Sequence, residues 1–521
     1  MACAPGHAPG AGIVMALPAL RAGPRAAWMQ LERILARVFA HDANPLAQLG
    51  AVACLLLLLL LISGIYLYVV FDTSATGGWR SIDTLSRQQP FPGGWLRSMH
   101  RYAADGFLLV TVLHLLREWV LGRSTGFRRA SWLTGLPLLV FVYISAMGGF
   151  WLNWDRLGQY AAVASAELLD RLPLLTAALT RNFVNADAVS DRLFSLLVFI
   201  HLGVPLLLLF GLWFHLQRIH RPMVVPARAL LLGVVGTLML LAAVLPVSSQ
   251  APADLAVAPT ALAFDWIVLH LHPLADATSP GLVLVLIVAV LLVLLALPLR
   301  AHASLPVAVV DPDHCNGCRR CVDDCPYAAI TLEPHPNAKP GMQLAVVAAN
   351  RCAGCGICAG ACPSATPFRS AQRLATGIDL PQHSLDTLRR QLHAALSHAS
   401  GRGKVVVFGC QHGAGVATAD TADAIVFSLR CSGQLPPAFV DYALRCGAGG
   451  VVISACSMGA CEYRLGSRWT AARLAANREP RLRRSVPENR YRLVFADAGD
   501  EPALAAAIAA AGDGRAAAVR S

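Results

Sequence analysis

Twelve cysteines and four histidines stand at spacings that can do chemistry. Eight of the cysteines form two copies of one pattern, Cys315-x2-Cys318-x2-Cys321-x3-Cys325-Pro326 and Cys352-x2-Cys355-x2-Cys358-x3-Cys362-Pro363. Thiolates so spaced bind 4Fe-4S clusters, the fourth cysteine of each run serving the other run's cluster. The expected sets are Cys315, Cys318, Cys321 and Cys362 for one cluster, and Cys352, Cys355, Cys358 and Cys325 for the second. Zinc is the simpler alternative, and the duplicated order of eight thiols weighs against it. The histidines form two pairs, His100 with His114 and His201 with His215, each fourteen residues apart on an apolar segment. Fourteen helical residues rise about 21 Å and turn within roughly 40° of four full turns. Each segment therefore shows two imidazoles on one face, at two depths of a bilayer. Ionisable groups inside a span are costly and are kept for function. A lone histidine reads as a core hydrogen-bonding group, whereas two equal spacings predict two bis-histidine haems, His100 with His201 and His114 with His215.

The elements that must position these groups follow from composition. Of 521 residues, 56% are hydrophobic and 14% charged, which implies a membrane protein with soluble parts. The formal charge of +12 is carried almost wholly by arginine, and no basic face interleaved with aromatics supports nucleic-acid binding. Residues 1–26, rich in Ala, Gly and Pro, show no h-region with a cleavage site, so a secretory signal is not expected there and disorder is. From Ala27 to Phe39, apolar residues recur at helical spacing, as in a helix on a lipid surface or one packed on the protein. Six stretches are each near the length that crosses a bilayer: 48–70, 98–121, 133–152, 193–217, 228–246 and 281–299. An even count puts both termini on one side. Arg21, Arg25, Arg33, Arg37, Arg123, Arg128, Arg129, Arg218, Arg221 and Arg228 mark it as cytoplasmic, against Arg80, Arg87, Arg156, Arg171 and Arg181 opposite. Cluster-binding cysteines also belong in a reducing space. His100 and His201 then lie outward, and His114 and His215 inward. Gly50 with Gly64, and Gly135 with Gly149, repeat the fourteen-residue period on the first and third spans, where a flat macrocycle needs places without a Cβ. Arg97, Arg101 and Arg117 are placed either to meet haem propionates or to anchor spans at the interface.

The stretches Gly94-Trp-Leu-Arg-Ser-Met-His100-Arg-Tyr, His114-Leu-Leu-Arg117 and Trp132-Leu-Thr-Gly135 resemble the amino-terminal four-helix half of cytochrome b from bc-type complexes, over roughly residues 30–222. The resemblance implies an outer low-potential haem, an inner haem of higher potential and quinone chemistry at the membrane faces. That family's Pro-Glu-Trp-Tyr element between the fifth and sixth spans is absent; Phe264-Asp265-Trp266 and His270-Leu-His272-Pro273 take its place. Asp265, His270 and His272 are candidates for proton exchange with a quinone, and equally read as polar residues of a solvated loop. The paired cysteine runs resemble bacterial two-cluster ferredoxins over residues 305–370.

In the last part, β-rich runs at 404–408, 424–429, 450–454 and 490–495 alternate with helical ones and predict a small parallel α/β sheet. Cys410, Cys431 and Cys456 each follow a predicted strand and Cys461 comes five residues later, so the four thiols can converge beyond the strand ends and hold a 2Fe-2S cluster. Cys431-Ser-Gly433, Gly447-Ala-Gly-Gly-Val451 and Cys456-Ser-Met-Gly-Ala-Cys461-Glu-Tyr463 resemble the delta subunit of methyl-viologen-reducing hydrogenases over 403–500. That resemblance implies a cluster module linking a dehydrogenase or hydrogenase to another redox protein. The family's first Cys-x-x-Cys is Cys410-Gln-His412-Gly413 here, so His412 is a replacement ligand or the domain is a docking module with unused thiols.

The expected fold is multidomain: a disordered 1–26, a di-haem cytochrome b-like membrane domain at 27–222, two further spans at 223–300 completing an all-α six-helix transmembrane bundle, a small α+β ferredoxin domain at 305–370, a linker at 371–402, an α/β parallel-sheet domain at 403–500 and an Ala-rich tail at 501–521. Together these predict an oxidoreductase subunit of the bacterial cytoplasmic (inner) membrane. It carries two haem b, two 4Fe-4S clusters and a candidate 2Fe-2S cluster, and works between a cytoplasmic dehydrogenase, hydrogenase or ferredoxin and quinone, amid membrane lipid. The alternatives are an electron-transfer anchor without its own quinone site and a bifurcating quinol oxidase. A homodimer is implied by the cytochrome b resemblance alone.

Overall fold

A computed structural model describes residues 11–39, 43–173, 179, 189–217, 219–259, 261–299, 306–336, 341–369, 372–415 and 423–512. Residues 1–10, Arg181, Arg218 and the tail at 513–521 lie outside them. The chain divides into two compact units, one of residues 1–217 with 222–301, the other of 218–221 with 302–521.

In the first unit every expected apolar stretch is helical, since a backbone in hydrocarbon must satisfy its hydrogen bonds within its own segment. After α1 (Ala11–Phe39) come α2 (Leu49–Val70), α3 (Gly77–Gln88), α4 (Trp95–Val120), α5 (Arg129–Asn153), α6 (Arg156–Leu169), α7 (Asp191–Gln217), α8 (Arg228–Val244), α9 (Leu271–Ala277) and α10 (Pro280–Ala296). The pair α2 and α4 pack along each other, as do α5 and α7. Among the described residues, four helical stretches are long and apolar enough to cross a membrane: Leu46–Val70, Gly126–Asn153, Asp191–Gln217 and Pro280–Leu299. The helix α4 carries Arg97, Arg101, Asp105, Arg117 and Glu118, and α8 has 17 residues. Val69, Phe199 and Leu206 are 78%, 69% and 64% exposed, a surface that lipid would cover. Four such stretches in one chain make it a multi-pass membrane protein.

Two expectations for this unit need correcting. Residues 11–26 are not disordered: they begin α1, whose Ala, Leu, Met and Arg content favours helix despite its prolines and glycines. The connections also hold helices, α3, α6 and α9. The start of α6 is fixed by Asp155, whose carboxylate accepts from Gly158 N at 2.9 Å.

The second unit begins with β1 (Val309–Val310), α11 (Arg320–Asp324), β2 (Ile330–Pro334), β3 (Gln343–Val347), α12 (Ile357–Ala361) and β4 (Ile378–Asp379). Here β1 pairs with β4 and β2 with β3, both antiparallel. After α13 (Leu385–Ser397) come β5 (Val405–Cys410), β6 (Ala424–Leu429), α14 (Ala438–Arg445), β7 (Gly450–Ala455), α15 (Gly466–Leu474), β8 (Tyr491–Phe495) and α16 (Glu501–Gly512). The strands form one parallel sheet in the order β6-β5-β7-β8. Alternate side chains serve its two faces. Val406, Phe408, Val451 and Ile453 pack into one core, and Val405, Val407 and Val452 into another.

Both domain boundaries around the sheet shift. The segment 371–402 is no linker, because Leu385, Leu388, Leu392 and Leu396 line one stripe of α13 and are buried in the core that holds the ferredoxin-like strands. Nor does the sheet domain end at 500: Leu504, Ala507, Ile508 and Ala511 of α16 cover its second face. The Ala-rich run is helical, as its composition favours, and its small apolar residues form a packing face.

Candidate haem and iron-sulfur sites

The four histidines sit on α4 and α7, and the four glycines of matching period sit on α2 and α5 facing them. A Cβ on Gly64 would lie 3.2 Å from His100 Cε1, and one on Gly149 3.3 Å from His201 Cε1. Gly50 faces His114 at 3.5 Å and Gly135 faces His215 at 3.3 Å in the same way. His100 and His201 present their rings to each other with centroids 6.4 Å apart and planes at 68°. Two imidazoles bound to one metal at about 2 Å each would span a similar distance once a ring radius is added on both sides. His215 lies within electrostatic range of His114.

Hydrogen bonds choose the ligating nitrogen. The Ser63 hydroxyl donates to the Leu59 carbonyl at 2.7 Å, so its oxygen accepts from His100 Nδ1 at 2.9 Å. Likewise the Thr134 hydroxyl donates to Ala130 O at 2.9 Å and accepts from His215 Nδ1 at 3.1 Å. His201 Nδ1 donates to the Ser145 carbonyl at 2.9 Å. In all three rings the proton is on Nδ1 and the lone pair of Nε2 is left for a metal, which is the outer-shell arrangement of metal-binding histidines. Sequence reasoning missed Ser63, Thr134 and Ser145. The available signal was a Ser or Thr immediately before Gly64 and Gly135, bonded back to the turn before it. Replacing Ser63 with alanine should weaken outer haem retention about 10- to 100-fold, as outer-shell losses typically do, read as haem released on dilution in detergent. A Gly64→Val chain should lose the outer haem alone, because its side chain must push His100 aside; haem per chain before and after gel filtration checks this.

The three arginines have protein partners. Arg97 is buried and donates to Ser86 Oγ at 2.6 Å, Asn153 Oδ1 at 2.8 Å and Ser249 Oγ at 2.9 Å. Arg117 pairs with Glu32 at 2.7 Å. Arg101 pairs with Asp105 and Asp265 and lies over the Phe150 ring. The Asp265 carboxylate also accepts from Ile267 N at 2.8 Å and Val268 N at 2.7 Å. His272 is buried, its Nε2 3.0 Å from Ser165 Oγ and its Nδ1 3.3 Å from Leu269 O, and burial holds its pKa below the ordinary histidine value. His270 is exposed, with its ring edge-on to Tyr143.

The eight-cysteine pattern folds as two like halves. Gly317 and Gly354, each just before the second cysteine of its run, have φ of +64° and +62° and need to be glycine. Short helices, α11 and α12, then carry the third cysteine of each run. One cavity is lined by Cys315, Cys318, Cys321 and Cys362, and another by Cys325, Cys352, Cys355 and Cys358. Each thus gathers three thiols of one run and the fourth of the other. Burial pushes the Cys321 thiol up to about 12 and those of Cys355 and Cys358 higher still. Such thiols ionise only against a cationic core, so the donor set fits iron-sulfur clusters.

A third thiol set forms at the carboxyl ends of β5 and β7. Cys410, Cys456 and Cys461 share a buried cluster, with Cys456 Sγ 3.5 Å from Cys410 Sγ. Hydrogen bonds from Cys431 and Cys456 pull the Cys410 thiol well below the ordinary cysteine value, and one from Cys431 lowers Cys461. Cys431 and Cys456 are pushed up in turn. Cys431, itself buried, hydrogen-bonds to Cys410 and Cys461, so the four thiols gather at one place in the fold. His412 meets the Tyr463 hydroxyl at 3.4 Å.

Comparison with known proteins follows the same divisions. Residues 38–223 match the family described as Cytochrome b/b6/petB, residues 314–366 the 4Fe-4S dicluster domain, and residues 405–513 the methyl-viologen-reducing hydrogenase delta subunit. Cytochrome b6 of Heliobacterium mobile is 26% identical over 172 residues, 33% of this chain and 80% of that protein. Cytochrome b of Allochromatium vinosum is 26% identical over 176 residues, 33% of this chain and 41% of that one. A chain of a solved structure titled Hyperthermophilic respiratory Complex III aligns with a TM-score of 0.41 at 20% identity, covering 48% of this chain and 74% of that one. In one polypeptide, a cytochrome b/b6 segment is thus followed by a 4Fe-4S dicluster segment and a methyl-viologen-reducing hydrogenase delta-subunit segment.

Proposed function

We propose that this chain is a membrane electron carrier that exchanges electrons between a cytoplasmic redox partner, such as a dehydrogenase, a hydrogenase or a ferredoxin, and the membrane quinone pool. The observation that carries the reading is the presence, in one chain, of imidazoles 6.4 Å apart with their Nε2 lone pairs free and of two cavities each lined by four thiols. Six spans, with α4 and α8 among them, put both termini and the iron-sulfur segments on the cytoplasmic side. Haem b and 4Fe-4S groups, when bound, supply one-electron acceptors. The chain's own part is to hold them. His100 with His201 and His114 with His215 ligate, Gly50, Gly64, Gly135 and Gly149 leave room for flat rings, and Ser63, Thr134 and the Ser145 carbonyl orient the imidazoles. The eight cysteines of 315–362 hold the two clusters, and Cys410, Cys431, Cys456 and Cys461 a third. Asp265, His270 and His272 are the groups proposed to exchange protons with quinone.

The anchor reading, without a quinone site, is favoured by one specific observation. Asp265 is taken up by Arg101 and two backbone amides, and both nitrogens of His272 have partners, leaving His270 as the exposed member of the three. The two readings separate when protein reduced anaerobically with viologen is mixed with a short-chain quinone. Haem reoxidation by quinone in molar excess over the reductant, two electrons leaving the protein for each quinone reduced to quinol, is the expected result; haems that stay reduced would support the anchor.

A further inference from the structure

The three thiol sets of the second unit differ in the side chains that link them and in their exposure. Arg430, next to Cys431, donates from Nε to the Gly354 carbonyl at 3.2 Å, inside the loop that carries Cys352 and Cys355, and from NH2 to the Tyr463 hydroxyl at 3.2 Å. Ile357, fully buried between Cys355 and Cys358 in the chain, fills the space left by two glycines. A Cβ on Gly433 would meet Ile357 Cγ1 at 3.0 Å, and a Cβ on Gly466 would meet Ile357 Cδ1 at 3.7 Å and Cys461 Sγ at 3.6 Å. A single apolar side chain therefore separates the loop of Cys355 and Cys358 from the thiols of Cys431 and Cys461. The junction is held shut by Arg473, which donates to Gly433 O at 2.8 Å and Ile357 O at 3.3 Å and pairs with Asp324, the residue before Cys325. All of these contacts reach the set of Cys325, Cys352, Cys355 and Cys358. The other set has Cys318 exposed and Cys315 half-buried, beside Asn316 and Arg319.

Building on the proposed function, we infer that the junction of Arg430, Ile357, Gly433 and Gly466 makes the set of Cys325, Cys352, Cys355 and Cys358 the middle carrier of this unit. It lies between the thiols of Cys410, Cys431, Cys456 and Cys461 and the solvent-facing set of Cys318. Each transfer oxidises one centre by a single electron and reduces its neighbour by one, with no bond or proton moved, the electron coming from a low-potential donor such as dithionite. Arg430 is a positioning residue: its cation sits between the two centres and favours the electron on either.

The test is low-temperature electron paramagnetic resonance on the full-length protein reduced with dithionite, each 4Fe-4S signal being assigned by its loss in Cys358→Ser or Cys318→Ser. Iron and sulfide are counted first. A wild type holding only the haems and two 4Fe-4S clusters removes the third centre, and with it the proposed function's account of that segment. With three centres present, Cys456→Ser is expected to relieve magnetic broadening of the Cys358 signal and leave the Cys318 signal unchanged. Arg430→Gln is expected to lower the midpoint potentials of the Cys358 cluster and the third centre, and to leave that of the Cys318 cluster in place, which also certifies the variant as folded. Relief of broadening on the Cys318 signal, or on neither, overturns the inference.

Discussion

Replacing His201 with leucine should leave the purified protein with one haem per chain instead of two, the survivor being the inner one. Leucine keeps the volume and helix preference of the site, so α7 persists. What disappears is the Nε2 that faces His100 across 6.4 Å, together with the bond from Nδ1 to Ser145 O that aimed it. His114 and His215 stand fourteen residues along their helices, about 21 Å away, and facing different glycines, Gly50 and Gly135. The inner pair therefore keeps both ligands. Haem extracted and counted per chain, with the reduced optical spectrum of what remains, checks this. A variant that keeps two haems would show that another side chain closes the outer site.

Arg473→Leu should destabilise the iron-sulfur unit by about 3–5 kcal/mol, the usual cost of breaking a buried ion pair from one side. Arg473 is 1% exposed and Asp324 2%, so the carboxylate left behind stays out of water. Arg478 also pairs with Asp324 while lying over the Trp469 ring at 3.6 Å; its remaining attraction places the expected loss toward the lower end. The change also removes the bonds to Gly433 O and Ile357 O that hold the two halves of the unit together. A denaturant titration followed by the visible absorbance of the clusters measures the loss. The Asp324→Leu, Arg473→Leu double variant should be more stable than Arg473→Leu alone, because it leaves no buried carboxylate, while Arg478, partly open to water, keeps the Trp469 ring.

The sequence was most legible where chemistry repeats at a fixed period. Fourteen-residue spacing named His100, His114, His201, His215 and their four glycines, and the structure brings each glycine against a histidine ring. The interleaved cysteine sets come from the duplication of the two runs, and two cavities are lined by those same thiols. Strand positions followed from β-branched runs flanked by turns, and all four fall within a residue or two of the observed ends. Illegible were features set by tertiary contact. Ser63 and Thr134 carry one local mark, their place just before Gly64 and Gly135, but which ring each bonds is set by the helix packed across from it. The stripe of Leu385 to Leu396 predicted a helix but not the core that it completes. The approach of Gly433 and Gly466 to Ile357 is a long-range packing event with no spacing of its own.

The measurement that bears most directly on the central claim is the reduced-minus-oxidised optical spectrum of the purified protein, with haem counted per chain, taken after quinol and again after dithionite. Two b-type haems per chain, partly reduced by quinol and fully by dithionite, are predicted. Fewer than two haems, or two that ignore quinol in both directions of flow, would contradict a di-haem carrier linked to the quinone pool.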